Sequence, residues 1–200
     1  MTERSDPKSI DLRRCRVPQS ALEFVCACSP THGLLVADWL VSAPGATQQA
    51  AGASQRLPAA FRAAVDGALR QRVGGAPLAL PFDPLDFLRD PQNWRAPAEV
   101  PPGTPHARKV WQALCQIPVG ETRTYGEIAR DIGSSPRAVG QACRANPWPL
   151  FIPCHRAVPA SGTRGGTGGY AGQRQGPLAD IKGLLLDHER TGPRHESIAG

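Results

Sequence analysis

The chain lacks several features that would each assign it to a class of protein. No run of about 18 apolar residues occurs that could cross a bilayer, and the charged start MTERSDPKSIDLRR has no apolar segment like that of a signal peptide. The six cysteines include no CxxC pair, so neither a zinc ribbon nor a thioredoxin-like motif is present. These absences predict a soluble, cytoplasmic protein with free thiols.

The net charge of +6 lies almost entirely in the second half of the chain. Residues 1–100 carry 11 Lys and Arg against 10 Asp and Glu, whereas residues 101–200 carry 12 against 7. A basic half suits a polyanionic partner, because Lys and Arg that neutralise phosphates release condensed counterions. Plain solubility accounts for the same charge equally well, so charge alone leaves both interpretations open.

The first half of the chain predicts a small sheet with one helix. Residues 21–40 contain two strand-like runs around a Ser-Pro-Thr-His-Gly turn, which is typical of a hairpin. In residues 57–73 apolar residues recur four apart, as on one face of a helix. Dense prolines then predict an extended connection, and we expect the domain boundary near residues 96–104. These prolines are residues 77, 81, 84, 91, 97, 101, 102 and 105.

The second half predicts mostly helices. A helix over about 105–117 has Thr104 as its N-cap, a short helix follows Thr124, and Gly133-Ser134-Ser135 separates it from a helix beginning at Pro136. A last helix begins at Pro177, and its predicted apolar residues are Leu178, Ile181, Leu184 and Leu185. Two short helices across a glycine-containing turn are typical of a helix-turn-helix, although many proteins with this pattern bind no DNA.

The predicted fold class is therefore α+β, with a small N-terminal sheet-plus-helix domain and a mostly helical C-terminal domain that contains a helix-turn-helix. The predicted divisions are residues 1–96, a linker at 97–104, the second domain at 105–192 and a tail at 193–200. The helix PRAVGQACRA combines small residues with arginines, which favours close backbone approach and phosphate contact over base readout.

Pro153-Cys154-His155-Arg156 is the segment most suggestive of chemistry. A thiol reacts as the thiolate, so a neighbouring imidazole that takes its proton raises its reactivity. Yet a Cys-His pair alone fits a buried structural cysteine beside a surface histidine better. In an extended segment His155 reaches the sulfur only at a turn or through a water. Residues 161–176, with seven glycines in sixteen residues, predict a mobile loop over a site.

The blocks KVWQAL, IPVGETRTYGEIA, RAVGQACRANP, IPCHRAV and LLLDHE follow one another between Thr104 and Glu189. In this order and spacing they resemble the O6-alkylguanine-DNA alkyltransferase (methylated-DNA–protein-cysteine methyltransferase) family. Residues 1–96 match only loosely, and for them the resemblance implies that family's small ribonuclease H-like domain. The implied reaction is DNA repair without a cofactor, in which the protein takes an alkyl group from O6-alkylguanine once per molecule; O4-alkylthymine stays open as a second substrate.

The resemblance also implies the roles of residues. Cys154 is then the nucleophile, His155 its base acting through a water, Glu189 the carboxylate that orients the imidazole, and Tyr125 the phenol that assists protonation of the leaving guanine. The target base must be extruded from double-stranded DNA, which we expect a monomer to bind through the minor groove. The DNA-contacting and base-flipping residues implied are Arg137, Ala138, Gly140 and Arg144, and the pocket and structural residues are Asn146, Pro149, Ala157, Tyr170, Ala171, Gly172 and Lys182.

Some positions depart from the family pattern. Ala171 stands where some relatives have Ser, His106 where Phe is usual, and the glycine-rich loop is longer than expected. We expect no metal site, because Cys15, Cys26, Cys28 and His32 match no ligand spacing. Two rival functions stay open: a lesion-binding protein without transfer, and a Cys-His-Glu hydrolase with multiple turnovers.

Overall fold

The computed structural model describes residues 10–16, 22–29, 33–41, 59–71, 80–160 and 177–192. Two compact units divide the chain between Leu80 and Pro81. The first unit contains a small antiparallel sheet and a helix, and the second is mostly helical, so the predicted α+β class is confirmed. No helix in the described part of the chain has the length and apolar character needed to cross a membrane.

The first unit is a three-stranded sheet with a helix. Strands β1 (Asp11–Arg16), β2 (Leu22–Ser29) and β3 (Gly33–Val41) are antiparallel in the order β1-β2-β3, and α1 spans Ala59–Gln71. The predicted hairpin is β2 with β3, paired from Leu22 with Val41 to Ser29 with Gly33. Alternate β2 side chains and the i, i+4 pair on α1 form one apolar cluster. It contains Val25, Ala27, Leu35, Val36, Phe61 and Val65.

The described part of the second unit contains five α-helices, and four of them begin directly after a residue whose side chain caps the helix. They are α2 (Pro84–Arg89), α3 (Pro105–Cys115), α4 (Tyr125–Ile132), α5 (Pro136–Arg144) and α6 (Pro177–Thr191). The hydroxyl of Thr104 accepts from the backbone N–H of Ala107 at 3.1 Å, and Thr124 and Glu127 form a capping box. Gly133 ends α4 with φ 66°, in the left-handed region that glycine adopts readily.

The boundary between the units differs from the predicted one. Residues 81–104 belong to the second unit, whereas the prediction assigned residues 81–96 to the first domain and residues 97–104 to a linker, and the aromatic side chains of this segment are buried. The ring of Phe82 lies 5.0 Å from that of Phe151, and the indole N–H of Trp94 donates to the carbonyl of Leu150 at 3.1 Å. Pro84 and Pro91 occupy the first positions of α2 and of a 3₁₀ turn, where the missing N–H of proline does no harm.

A short parallel pairing brings the Pro-Cys-His-Arg segment next to the beginning of α4. Strand β4 (Arg123–Thr124) pairs with β5 (Ala157–Val158), so that Arg123 lies opposite Ala157 and Thr124 opposite Val158. β4 immediately precedes Tyr125, and β5 immediately follows the 3₁₀ turn Cys154–Arg156. The pairing therefore fixes two segments, more than 30 residues apart in sequence, at one end of the unit.

Candidate active site

Cys154 lies at the beginning of a single 3₁₀ turn, not in an extended segment. Its backbone N–H donates to the carbonyl of Ile152 at 2.8 Å, and Leu150 reverses the chain just before with φ 73°. Positive φ is costly for a leucine and persists where packing enforces it, and Leu150 is fully buried. The thiol residue itself is 7 % exposed, so it is accessible to a reagent but sheltered from bulk water.

Asn146 connects the end of α5 to the cysteine. Its side-chain N–H₂ donates to the carbonyl of Ile152 at 3.0 Å and contacts Sγ of Cys154 at 3.5 Å. Its side-chain oxygen accepts from the backbone N–H of Trp148 at 3.0 Å. The predicted turn-forming role thus comes with a donor directed at the sulfur, and such a donor favours the thiolate over the thiol.

His155 and Glu189 are both buried, and Nε2 of the imidazole lies 2.8 Å from Oε1 of the carboxylate. Burial lowers the pKa of His155, and the opposing charge of Glu189 does not reverse this. We therefore assign a neutral imidazole whose Nε2–H donates to the carboxylate, which leaves Nδ1 as the proton acceptor. Nδ1 is buried and has no hydrogen-bond partner in the described part of the protein.

Glu189 is held ionised by the groups around it. Burial alone would raise its pKa, but His155 and Arg156 together lower the pKa to about 2. Nε and Nη2 of Arg156 donate to the carboxylate at 2.9 to 3.2 Å, and the backbone N–H of Gly120 donates to Oε2 at 3.1 Å. A carboxylate with this many donors has a fixed plane, so it can fix the plane of the imidazole as well.

Arg156 is the main site residue without a predicted role. It is fully buried, donates from Nη1 to the carbonyl of Ile117 at 2.6 Å, and lies over the ring of Trp94 at 4.2 Å from the ring centroid. An arginine within the apolar stretch Phe151–Val158 is itself a signal, because a buried guanidinium requires a carboxylate partner. The pairing of Arg156 with a carboxylate could therefore have been inferred from the sequence, whereas its contact with Trp94 could not.

Tyr125 and Lys182 form a second polar pair beside the thiol. The ammonium of Lys182 donates to the hydroxyl of Tyr125 at 3.1 Å, and Lys182 is 1 % exposed. Burial raises the pKa of Tyr125, which therefore stays protonated at neutral pH. Burial also lowers the pKa of Lys182, an effect that the nearby thiols of Cys154 and Cys143 oppose. Cys143 is a further neighbour of the site that the sequence did not indicate.

The residues predicted to contact DNA lie on α5. Arg137 and Arg144 are exposed, whereas Ala138 and Gly140 are half-buried. The opposite face of the helix packs into the unit through Val139 and Ala142. A Cβ placed on Gly140 would meet nothing within 4 Å, so internal packing of the described residues does not require this glycine.

The remaining predicted residues are buried or fall outside the described part of the chain. Pro149 and Ala157 are buried on either side of the thiol segment. Tyr170, Ala171, Gly172 and His32 lie outside the described residues, as does the rest of the glycine-rich loop. His106 does more than change packing, since its Nε2 lies 2.7 Å from the hydroxyl of Ser134. Among the described residues no group of potential metal ligands comes together, at the N-terminal cysteines or elsewhere.

Comparison with known proteins identifies the second unit. The family model described as 6-O-methylguanine DNA methyltransferase, DNA binding domain, matches residues 105–191. The constitutive methylated-DNA–protein-cysteine methyltransferase of Bacillus subtilis (strain 168) is 48% identical over 90 residues, which are 44% of this chain and 50% of that protein. A methylated-DNA–protein-cysteine methyltransferase of Methanosarcina acetivorans is 47% identical over 91 residues, 44% of this chain and 53% of the relative.

Similarity to solved structures extends over both units. The crystal structure of the Mycobacterium tuberculosis O6-methylguanine methyltransferase aligns with a TM-score of 0.55 and 25% identity, covering 92% of this chain and 94% of that one. The chain spans about half the length of the curated relatives it matches. The thiol motif and its buried network lie within residues 105–191, the part of the chain that matches the 6-O-methylguanine DNA methyltransferase DNA binding domain, apart from the contacts that residues 81–104 make with them.

Proposed function

We propose that this protein repairs DNA by direct reversal, transferring the alkyl group of O6-alkylguanine to the sulfur of Cys154 once per molecule. The observation that carries the proposal is the arrangement around the thiol. Cys154 precedes His155 in one 3₁₀ turn, Nδ1 of His155 has no hydrogen-bond partner among the described residues, and a buried carboxylate holds the other ring nitrogen. The names of the relatives, which refer to methylated DNA and a protein cysteine, agree with this assignment.

The proposed step is a displacement at carbon. His155 takes the thiol proton at Nδ1, directly or through a water, and the thiolate of Cys154 attacks the alkyl carbon. A carbon–sulfur bond forms, the carbon–oxygen bond breaks, and its electron pair goes to the guanine. The hydroxyl of Tyr125 supplies a proton to the departing base, and Lys182, which donates to that hydroxyl, stabilises the phenolate that forms.

The product explains the proposed single turnover. A thioether is not a leaving group under these conditions, and the proposal includes no reductant or second thiol that would restore Cys154. The protein is then a reagent that each reaction consumes. Turnover of many substrate molecules would instead require a labile intermediate such as a thioester, as in a hydrolase.

The proposed substrate is double-stranded DNA, bound by a monomer inside the cell. Helices α4 and α5 would act as the helix-turn-helix, with the small residues Ala138 and Gly140 facing the minor groove and Arg144 near a phosphate. Arg137 would enter the base stack in place of the extruded nucleotide. Tyr170, Ala171 and Gly172 would line the pocket that receives the alkylated base.

The experiment is incubation with a duplex that contains one O6-methylguanine, followed by peptide mass measurement. We expect one added methyl group per molecule, on the Cys154 peptide only, and none in Cys154→Ser. Cys28→Ser, which removes a thiol of the first unit, is the matched control and should retain full uptake. An unmodified Cys154 peptide despite tight lesion binding would refute transfer, and repeated ester turnover would favour the hydrolase.

A further inference from the structure

The segment 81–104 contributes buried side chains to the candidate site, although it precedes residues 105–191 that match the family model. Trp94 and Phe82 contact the chain just before the thiol, at Leu150 and Phe151 respectively. Nε2 of His188, next to Glu189 in sequence, lies 2.8 Å from the carbonyl oxygen of Phe87. The segment therefore contacts the chain just before the thiol and the residue next to Glu189.

Trp94 is the member of this segment that reaches the charged network. It follows a 3₁₀ turn (Pro91–Asn93), is 9 % exposed, and donates its indole N–H to Leu150, the residue with positive φ. Its ring lies under the guanidinium of Arg156, 4.2 Å from Cζ to the ring centroid. One side chain thus contacts both the backbone reversal before Cys154 and the cation that pairs with Glu189.

The contacts of Arg156 divide into two directions. Within the guanidinium plane, the N–H groups donate to Glu189 and to the carbonyl of Ile117. The indole ring of Trp94 makes a further contact, with Cζ of the guanidinium over the ring at 4.2 Å from the centroid. The hydrogen bonds restrain sliding of the guanidinium, whereas the aromatic ring against it restrains its movement away from Glu189 and excludes water from the pair.

We propose that Trp94 is a positioning residue for the reaction of Cys154: its ring fixes the plane of Arg156, which in turn fixes the Glu189 carboxylate that orients His155. The inference rests on the proposed function for its biological meaning. Its physical content, the control of His155 by a residue outside the matched domain, concerns the thiol site alone and is testable without DNA.

The charged and titratable groups around the imidazole determine the expected effect. Glu189 and Lys182 on α6 and Arg156 on its own turn act electrostatically on His155, and Arg156 also interacts with Cys115 of α3. Burial is the largest cause of the low pKa of His155, and Arg156 and Lys182 lower that pKa further. Without the ring, water reaches the pair and Arg156 moves away, so the pKa of His155 rises.

The test is the pH dependence of Cys154 alkylation by iodoacetamide, followed by peptide mass between about pH 5 and pH 8. Protonation of His155 removes the base, so the alkylation rate falls as the pH decreases; this falling part of the pH–rate profile is the acid limb. In Trp94→Leu we expect the midpoint of the acid limb to move to a pH about half a unit higher. Trp94→Phe, which keeps an aromatic face and loses the N–H, should retain the wild-type limb. Trp94→Met, without a ring, should behave like the leucine variant.

Trp111→Leu is the matched control. Trp111 is also buried, and it donates its indole N–H to a backbone carbonyl, that of Ala142, at 2.9 Å. The Trp111→Leu variant should be less stable than the wild type, but its acid limb should lie at the wild-type pH. The inference would be overturned if the acid limb does not shift in Trp94→Leu or Trp94→Met, whichever of the two folds. It would also be overturned if Trp94→Phe or Trp111→Leu shows an equal shift. If the wild-type protein takes up no methyl group from DNA but the Trp94 variants show the predicted shift, the proposed function is refuted and the role of Trp94 is not.

Discussion

Replacing Glu189 by Gln should expose how much of the second unit's stability depends on one buried charge. The substitution keeps the size of the side chain but leaves the buried guanidinium of Arg156 without its counter-charge. The pKa of Glu189 falls from the ordinary value of 4.5 to about 2, and each unit corresponds to about 1.4 kcal/mol, so the shift represents roughly 3 kcal/mol of stability at neutral pH. Loss of one partner of a buried ion pair costs a similar amount, about 3–5 kcal/mol.

The pH dependence follows from the direction of the shift. Because the folded-state pKa is depressed, the contribution is complete above the unfolded value of 4.5 and is lost as the pH falls toward about 2. The difference in free energy of unfolding between wild type and Glu189→Gln should therefore shrink by roughly 1 kcal/mol between about pH 5 and about pH 3.5.

Urea unfolding of both proteins at several pH values measures this difference, with hydrogen exchange to assign the transition to the second unit. Asp131→Asn is the control, because it breaks the exposed pair with Arg123, which is worth at most about 1 kcal/mol. A difference below about 1 kcal/mol at neutral pH, or one that stays constant as the pH falls, would refute the reasoning.

The remaining predictions concern the proposed reaction. Tyr125→Phe keeps the ring near Lys182 but removes the hydroxyl that accepts from it, so methyl transfer from DNA should slow by about 100-fold while iodoacetamide alkylation of Cys154 is unchanged. In single-turnover kinetics with a labelled duplex, a transfer rate for Tyr125→Phe equal to that of the wild type would contradict the proton-donor role. Arg137→Ala, at an exposed position, should change the free energy of unfolding by less than about 0.5 kcal/mol. It should nevertheless slow transfer from a duplex more than transfer from free O6-methylguanine. Equal slowing with both substrates would contradict the role in base extrusion.

Local signals in the sequence predicted the regular elements well. The hydroxyls of Thr104, Thr124 and Ser135 cap helices that begin at the next residue, because capping is a contact with an N–H within about three residues along the chain. The hairpin of β2 and β3 followed from turn residues between apolar runs. Strand β1 was missed, since DLRRCR is mostly polar and is recognisable only by its pairing with β2.

The apolar face of α6 was predicted only in part. Ile181 and Leu185 are buried as the periodicity indicates, but Leu184 is 46% exposed and Leu186 is buried in its place. Periodicity alone cannot decide which of three consecutive leucines is buried when polar residues of the same helix also point inward. In α6 the inward polar residues are Lys182 and Glu189, whose burial depends on partners elsewhere in the fold.

The sequence by itself indicated the residues that we propose for the chemistry: the thiol segment, its histidine and the distant glutamate, all recognisable in ordered motifs. Only the tertiary structure decided how they are held. The bonds between Arg156 and Glu189 and between Trp94 and Leu150 join residues 33 and 56 positions apart, and that between His188 and Phe87 joins residues 101 apart. No local pattern encodes such separations, because the free energy of these contacts depends on burial that arises once the whole unit has folded.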